Sequence, residues 1–135
     1  VFVSAILSER LRIHLVVWRS GRYNLLGTEV HRWANRMEVR FVDPALARLE
    51  TDADCPTNLG AAVVRGFRKV VRFIRAAKDE RDFRAMRSLK FEKLKGDRSH
   101  QHSLRINRQW RLIVEVEKGE HKNRIAILAI EDYHS

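Results

Sequence analysis

Apolar and polar positions alternate along MEVRFV at Met37–Val42, which predicts a first strand. Asp43-Pro44 ends it. Asp43 can cap, and Pro44 can open, a short helix over Ala45–Leu49, because proline's fixed φ suits the first helical turn. Glu50–Thr57 is a polar loop. From Asn58 to Lys78 the period lengthens: Leu59, Val63, Phe67, Val70, Val71, Ile74 and Ala77 recur at three- and four-residue steps, one stripe along a helix. Thr57 or Asn58 is the expected cap. Gly60 and Gly66 each weaken that helix by about 1 kcal/mol relative to alanine. Asp79–Arg87 predicts a second helix with acids in its first turn, its Phe83 and Met86 packing on the longer one.

Beyond Arg87 the period falls to two. Leu89–Leu94 predicts a short strand, Lys95-Gly96-Asp97 a turn, and His102–Ile106 a second strand of this run. Asn107-Arg108-Gln109 is a hairpin turn, Trp110–Glu117 alternates, and Gly119–Asn123 turns again. Arg124–Glu131 is nearly all apolar, the pattern of a central strand buried on both faces. A strand, then helices, then an antiparallel meander makes an α+β fold, with two helices packed on one face of a small antiparallel sheet. Residues 1–36 hold no sustained period of 2 or 3.6. They fit a genuine N-terminal extension, part-helical around Glu9–Val17. They also fit an upstream stretch before a domain that begins at Met37, the first methionine, and this second reading is the one expected, with weak order over 1–36.

Charge narrows the partner. In 135 residues, 27 Lys plus Arg stand against 17 Asp plus Glu, a net +10, and arginine supplies most of it. A small arginine-rich domain suits a polyanion, phosphate above all, although arginine as ordinary surface filler gives the same sum. Along the long helix Arg65, Arg68, Lys69, Arg72 and Arg75 have no acid among them and so repel one another. A polyanion would relieve that cost; a solvated helix face would look the same. Cys55 is the only cysteine, so no internal disulfide forms, and a reducing cytoplasm fits. It lies in a polar stretch without an adjacent histidine, which argues against a catalytic thiol. The apolar cluster at Ile13–Trp18 is too short and too interrupted by charge to span a membrane.

The chemistry-bearing residues gather after Lys90. RNA can be cut without a metal when its own 2′-hydroxyl attacks the neighbouring phosphate. That needs a base, an acid for the leaving oxygen, and cations for the growing charge. Lys95, Arg98, Arg105 and Arg111 are candidate cations; Glu92, Asp132, Tyr133 and His134 are candidate proton handlers. On an extended strand Asp132 and His134 would point one way and Tyr133 the other, unless the chain curls. His100, His102 and His134 could in principle meet at a zinc ion, but no acid or cysteine joins them at a fixed short spacing, so neither metal nor cofactor is expected.

Three motifs follow in order: LKGDR at Leu94–Arg98, SLRIN at Ser103–Asn107 with QWR at Gln109–Arg111, and EDYH at Glu131–His134. In this combination residues 37–135 resemble the HigB toxins of the RelE/ParE superfamily, and residues 1–36 have no counterpart. The resemblance implies a RelE-like α+β fold and a ribosome-dependent endoribonuclease that cleaves mRNA in the decoding site. It implies neutralisation by a helix-turn-helix, HigA-like antitoxin, with operator DNA met only through that antitoxin. Carried over, Lys95 and Arg111 would stabilise the scissile phosphate, and Asp132, Tyr133 and His134 would form the terminal catalytic group, with His134 as acid or base. Some members carry histidine and others glutamate where Glu92 stands, so Glu92 is the candidate base. Arg65, Arg68, Lys69, Arg72, Lys93, Arg98 and Arg105 would contact RNA; the antitoxin could instead cover the helix face. A ParE-like gyrase inhibitor and a plain nucleic-acid-binding module are the competing functions.

Overall fold

The computed structural model describes residues 36–134. The expectations for the N-terminal segment, for Ser135 and for any helix near Glu9–Val17 lie outside them. The elements are β1 (Glu38–Phe41), α1 (Pro44–Thr51), α2 (Ala61–Ala76), α3 (Glu80–Ala85), β2 (Glu92–Lys93), β3 (Gln101–Arg105), β4 (Trp110–Glu117) and β5 (Arg124–Asp132). Short 3-10 turns stand at Arg87–Leu89 and Gly96–Arg98. The architecture is α+β, with the strands in one sheet of order β1-β5-β4-β3-β2. The meander β2 to β5 is antiparallel as the alternation predicts, but β1 lies parallel to β5, so the sheet is mixed.

Local chemistry explains most boundaries. The Asp43 carboxylate accepts the Ala45 N–H at 2.9 Å and caps α1 behind Pro44. Asp79 does the same for α3 through Arg81 N–H at 2.8 Å. The long helix starts later than its stripe suggests. Gly60 is its cap, while Thr57 Oγ1 accepts the Leu59 N–H at 3.1 Å in a turn ahead of it. Strand β2 is also shorter than Leu89–Leu94, because Arg87–Leu89 coils and Lys90 sits in the left-handed region at φ 42°.

The stripe of α2 makes the core. Phe67, Val71 and Ile74 are fully buried with Leu104, Leu112, Val114, Ile125 and Ile127 of the sheet. Alternation then turns Ser103, Arg105, Arg111 and Ile113 to the face without these residues. Two of the five α2 cations find partners that a linear pattern cannot show, since both lie on or just after α1. Arg68 donates to the Leu49 and Asp52 carbonyls at 2.9 and 3.0 Å. Arg75 grips both oxygens of Glu50 at 2.6 and 2.9 Å.

Gly66 serves close approach rather than weakness. A Cβ there would meet Ile106 Cγ2 at 2.7 Å. In an open helix Gly66→Ala would gain about 1 kcal/mol of propensity. Here it is expected to lower the melting temperature, measured by thermal denaturation; a higher value would show that Ile106 moves aside freely.

Candidate active site

The site is built on the sheet face that carries no core residues. In an antiparallel ladder opposed residues share a face, so Arg105, Arg111 and Glu131 form one row, and Glu92, Ser103, Ile113 and Ala129 a second. With strands about 4.8 Å apart and a rise of about 3.3 Å per residue, the Cα atoms of Glu92 and Arg111 lie roughly 12 Å apart. A phosphodiester fits between two side chains of that length.

Arg111 is the centre. It is only 9% exposed. One nitrogen, Nη1, donates to the Asn107 carbonyl at 2.7 Å and to the Trp110 carbonyl at 3.2 Å. Its guanidinium carbon lies 4.3 Å from the Tyr133 ring centre, over the ring. Among the described residues no carboxylate stands within ion-pair distance, and Nε and Nη2 donate to no protein group. Those nitrogens are not sealed off, since His102 Nδ1 is the one fully buried side-chain polar atom without a partner there. A cation held by dipoles and a π-face keeps its charge for an incoming anion.

The hairpin Asn107–Gln109 organises what surrounds Arg111. Asn107 Oδ1 accepts the Gln109 and Trp110 N–H groups at 2.9 and 2.8 Å, which closes the turn. Its carbonyl also accepts Arg105 Nε at 3.3 Å. The Gln109 carbonyl accepts the Tyr133 N–H at 2.6 Å, and its amide donates to Asp132 Oδ2 at 2.8 Å. Asp132 Oδ1 in turn accepts the His134 N–H at 2.9 Å. The chain therefore curls after Asp132 instead of running on as a strand. Tyr133, 61% exposed, comes under Arg111, and the exposed His134 stands edge-on to it with ring centres 5.7 Å apart. The His134 N–H, then the Gln109 amide, hold the Asp132 carboxyl below the usual carboxylate range. Asn107 and Gln109 read in the sequence as turn residues; their supporting role needs the fold, though Asn and Gln flanking a tight turn are the available signal.

The other predicted residues divide. Glu92 and Lys95 are exposed on and just after β2. Lys95 precedes Gly96, whose φ of +66° is the left-handed turn that glycine permits. Arg98 joins the Arg111 face by binding Glu131, with Nη2 to Oε1 at 2.8 Å and Nη1 to Oε2 at 3.1 Å. Lys93 pairs with His102 and so lies on the helix side of the sheet. Arg65, Lys69 and Arg72 are exposed on α2, on the opposite side of the sheet from Arg111, and Arg68 is tied to the end of α1. His102 stacks on Phe91 with ring centres 4.7 Å apart. Burial first, then Arg84 and Lys93, depress its pKa. Among the described residues no group of His, Cys, Asp or Glu is arranged to hold a metal.

Comparison with known proteins gives a family. The model of the HigB-like toxins, described as the RelE-like toxin of type II toxin-antitoxin system HigB, matches residues 39–134. No match was found among curated proteins. Among solved structures the chain is similar to a YoeB/ParE toxin from Agrobacterium tumefaciens, at 18% identity and a TM-score of 0.43, covering 72% of this chain and 99% of that one. It is also similar to a YoeB-YefM complex from Staphylococcus aureus, at 22% identity and a TM-score of 0.44, covering 74% of this chain and 99% of that one.

The Asp132 turn carries a pH signature. Its carboxylate is bonded in the folded chain, so its contribution is present above the ordinary carboxylate range and is lost as pH falls through the depressed folded value. Gln109→Ala is expected to move the Asp132 titration upward, followed by carboxyl NMR, and to shrink the acid-side fall in melting temperature. An unmoved titration would show that the Gln109 amide does not set it.

Proposed function

The chain belongs to the HigB-like toxins, RelE-like members of type II toxin–antitoxin systems, and on that footing we propose that it is a ribosome-dependent endoribonuclease that cuts mRNA in the decoding site and stops translation. The observation that carries this reading is Arg111: a nearly buried guanidinium, cradled by carbonyls and a tyrosine ring, with donors left for a phosphate. Beside it stand a phenol and an imidazole, the groups that proton transfer to and from a ribose and a leaving oxygen requires.

In this reading the ribose 2′-hydroxyl attacks the adjacent phosphorus, the bond to the 5′-oxygen breaks, and a 2′,3′-cyclic phosphate and a 5′-hydroxyl result. Glu92 takes the 2′-hydroxyl proton. His134 gives a proton to the departing 5′-oxygen. Arg111 and Lys95 meet the negative charge that builds on the phosphoryl oxygens. Tyr133 holds the Arg111 guanidinium over its ring, and Asp132, ionised and hydrogen-bonded, acts by shaping the turn that presents His134. The nucleophile belongs to the substrate, and side chains alone carry the proton transfers and meet the charge.

The toxin domain is residues 37–135. Its exposed α2 cations Arg65, Lys69 and Arg72 meet ribosomal RNA backbone, giving salt-dependent affinity without sequence choice. Arg105 supports RNA beside Arg111. Lys93, on the other side of the sheet, adds only to that backbone contact. A HigA-like helix-turn-helix antitoxin silences the enzyme and carries the pair to operator DNA. Action at the ribosome places the protein in the cytoplasm.

Mapping mRNA ends on translating ribosomes tests the reading. Breaks with 5′-hydroxyl ends are expected in the decoding site; intact mRNA alongside gyrase-linked DNA damage contradicts it. Arg111→Ala and His134→Ala are each expected to lower the cleavage rate by about a hundredfold or more, with circular dichroism unchanged. Arg111→Lys covers the case in which alanine disturbs the turn, and it too loses most of the rate, since one ammonium cannot replace the planar fork.

A further inference from the structure

The loop between β2 and β3 carries Lys95, yet residues 94–100 are joined to the rest of the fold by little backbone bonding. Leu94 N–H to Gln101 O at 3.0 Å closes its base, and Ser99 N–H to Gly96 O at 3.1 Å closes its 3-10 turn. Neither bond reaches beyond the β2–β3 hairpin. The long-range tie is a side chain. Arg98 leaves the loop, donates from Nε to Gln101 Oε1 at 2.9 Å, and with its two terminal nitrogens takes both oxygens of Glu131. Glu131 stands on β5, two strands beyond β3, so the guanidinium reaches across β4 on the Arg111 face.

Glu131 directly opposes Arg111 on the neighbouring strand and immediately precedes Asp132, Tyr133 and His134. One carboxylate therefore links the Lys95 loop to the end of the chain that carries the imidazole. The geometry points to Arg98 and Glu131 as a positioning pair: a crossbrace that sets Lys95 against Arg111 and His134, instead of Arg98 serving as an RNA contact. This rests on the proposed nuclease reading for its kinetic consequence but not for its structural one.

The pair is half exposed, at 45% and 42% for the two side chains, so it adds little to global stability. Its planar two-point grip instead fixes direction, which is what a loop with backbone bonds only inside its own hairpin lacks. Misplacing a charge-stabilising group by about 1 Å can slow a reaction by about a hundredfold. The loss falls on the chemical step, because the α2 cations on the other side of the sheet keep their own contact with RNA.

A double-mutant cycle on the full chain decides the matter, with Arg98→Gln, Glu131→Gln and the pair combined. These neutral changes avoid setting a new cation beside Arg111. Cleavage of mRNA on translating ribosomes and amide exchange of residues 96–101 without RNA are measured for each. For a crossbrace, each single change lowers kcat between about tenfold and a hundredfold, KM and melting temperature hold, and the double change is no worse than either single one. Exchange in the loop quickens equally in all three. Wild-type kcat in Glu131→Gln with a raised KM in Arg98→Gln overturns the proposal and makes Arg98 an RNA contact. A wild-type chain that cuts no mRNA sinks the nuclease reading alone; the exchange data then decide, and unchanged loop exchange in the single variants overturns the brace.

Discussion

The register of β4 is the constraint on which the rest depends. Leu112 and Val114 are fully buried under α2, and Arg111 and Ile113 take the alternate positions. A slip of one residue would drive a guanidinium into an apolar core and turn two aliphatic side chains outward. The hydrophobic drive that seats Phe67, Val71 and Ile74 on the sheet thus also aims Arg111 at the opposite face. Core and site are two sides of one strand, and Gly66, by letting α2 approach Ile106, serves both.

The second constraint is an irregularity. Val114 opposes Ile127 while Ile113 opposes Ala129, so Leu128 is an extra residue in β5. This bulge reverses the alternation along the strand. Before it, Ile125 and Ile127 join the core; after it, Ile130 packs against the core and Glu131 turns to the Arg111 face. Were Leu128 paired as a regular strand residue, Glu131 would face the core, and neither Arg98 nor the terminal turn would have its anchor. The turn is finished by polar bonds from one hairpin, in which Gln109 holds both Tyr133 N–H and Asp132.

Much of this was legible in the sequence, for physical reasons. The three- and four-residue steps of α2 and the two-residue steps of β3 and β4 are direct records of burial on one face. Asp43-Pro44 and Asp79 cap helices through contacts made within a few residues. What escaped the sequence involves distant partners. The parallel pairing of β1 with β5 joins the two ends of the domain, so no local pattern encodes it. The near-continuous apolar run of β5 hides its bulge, because a buried strand shows no alternation to break. The α2 cations looked alike, but Arg68 and Arg75 are held by α1 while Arg65, Lys69 and Arg72 are exposed. At the site the residue types were visible; the curl after Asp132, the π-face under Arg111 and the bridge from Arg98 to Glu131 were not.

In the proposed reaction Arg111 receives a phosphate whose neighbouring ribose supplies the nucleophile. Replacing that one ribose by 2′-deoxyribose, in an mRNA positioned on the ribosome, separates attack by that hydroxyl from every other route. The phosphate and every protein contact to it remain, and only the attacking hydroxyl is removed. Loss of the break at that linkage, with binding intact, is the predicted result. Cleavage at the deoxy linkage at an undiminished rate would contradict it.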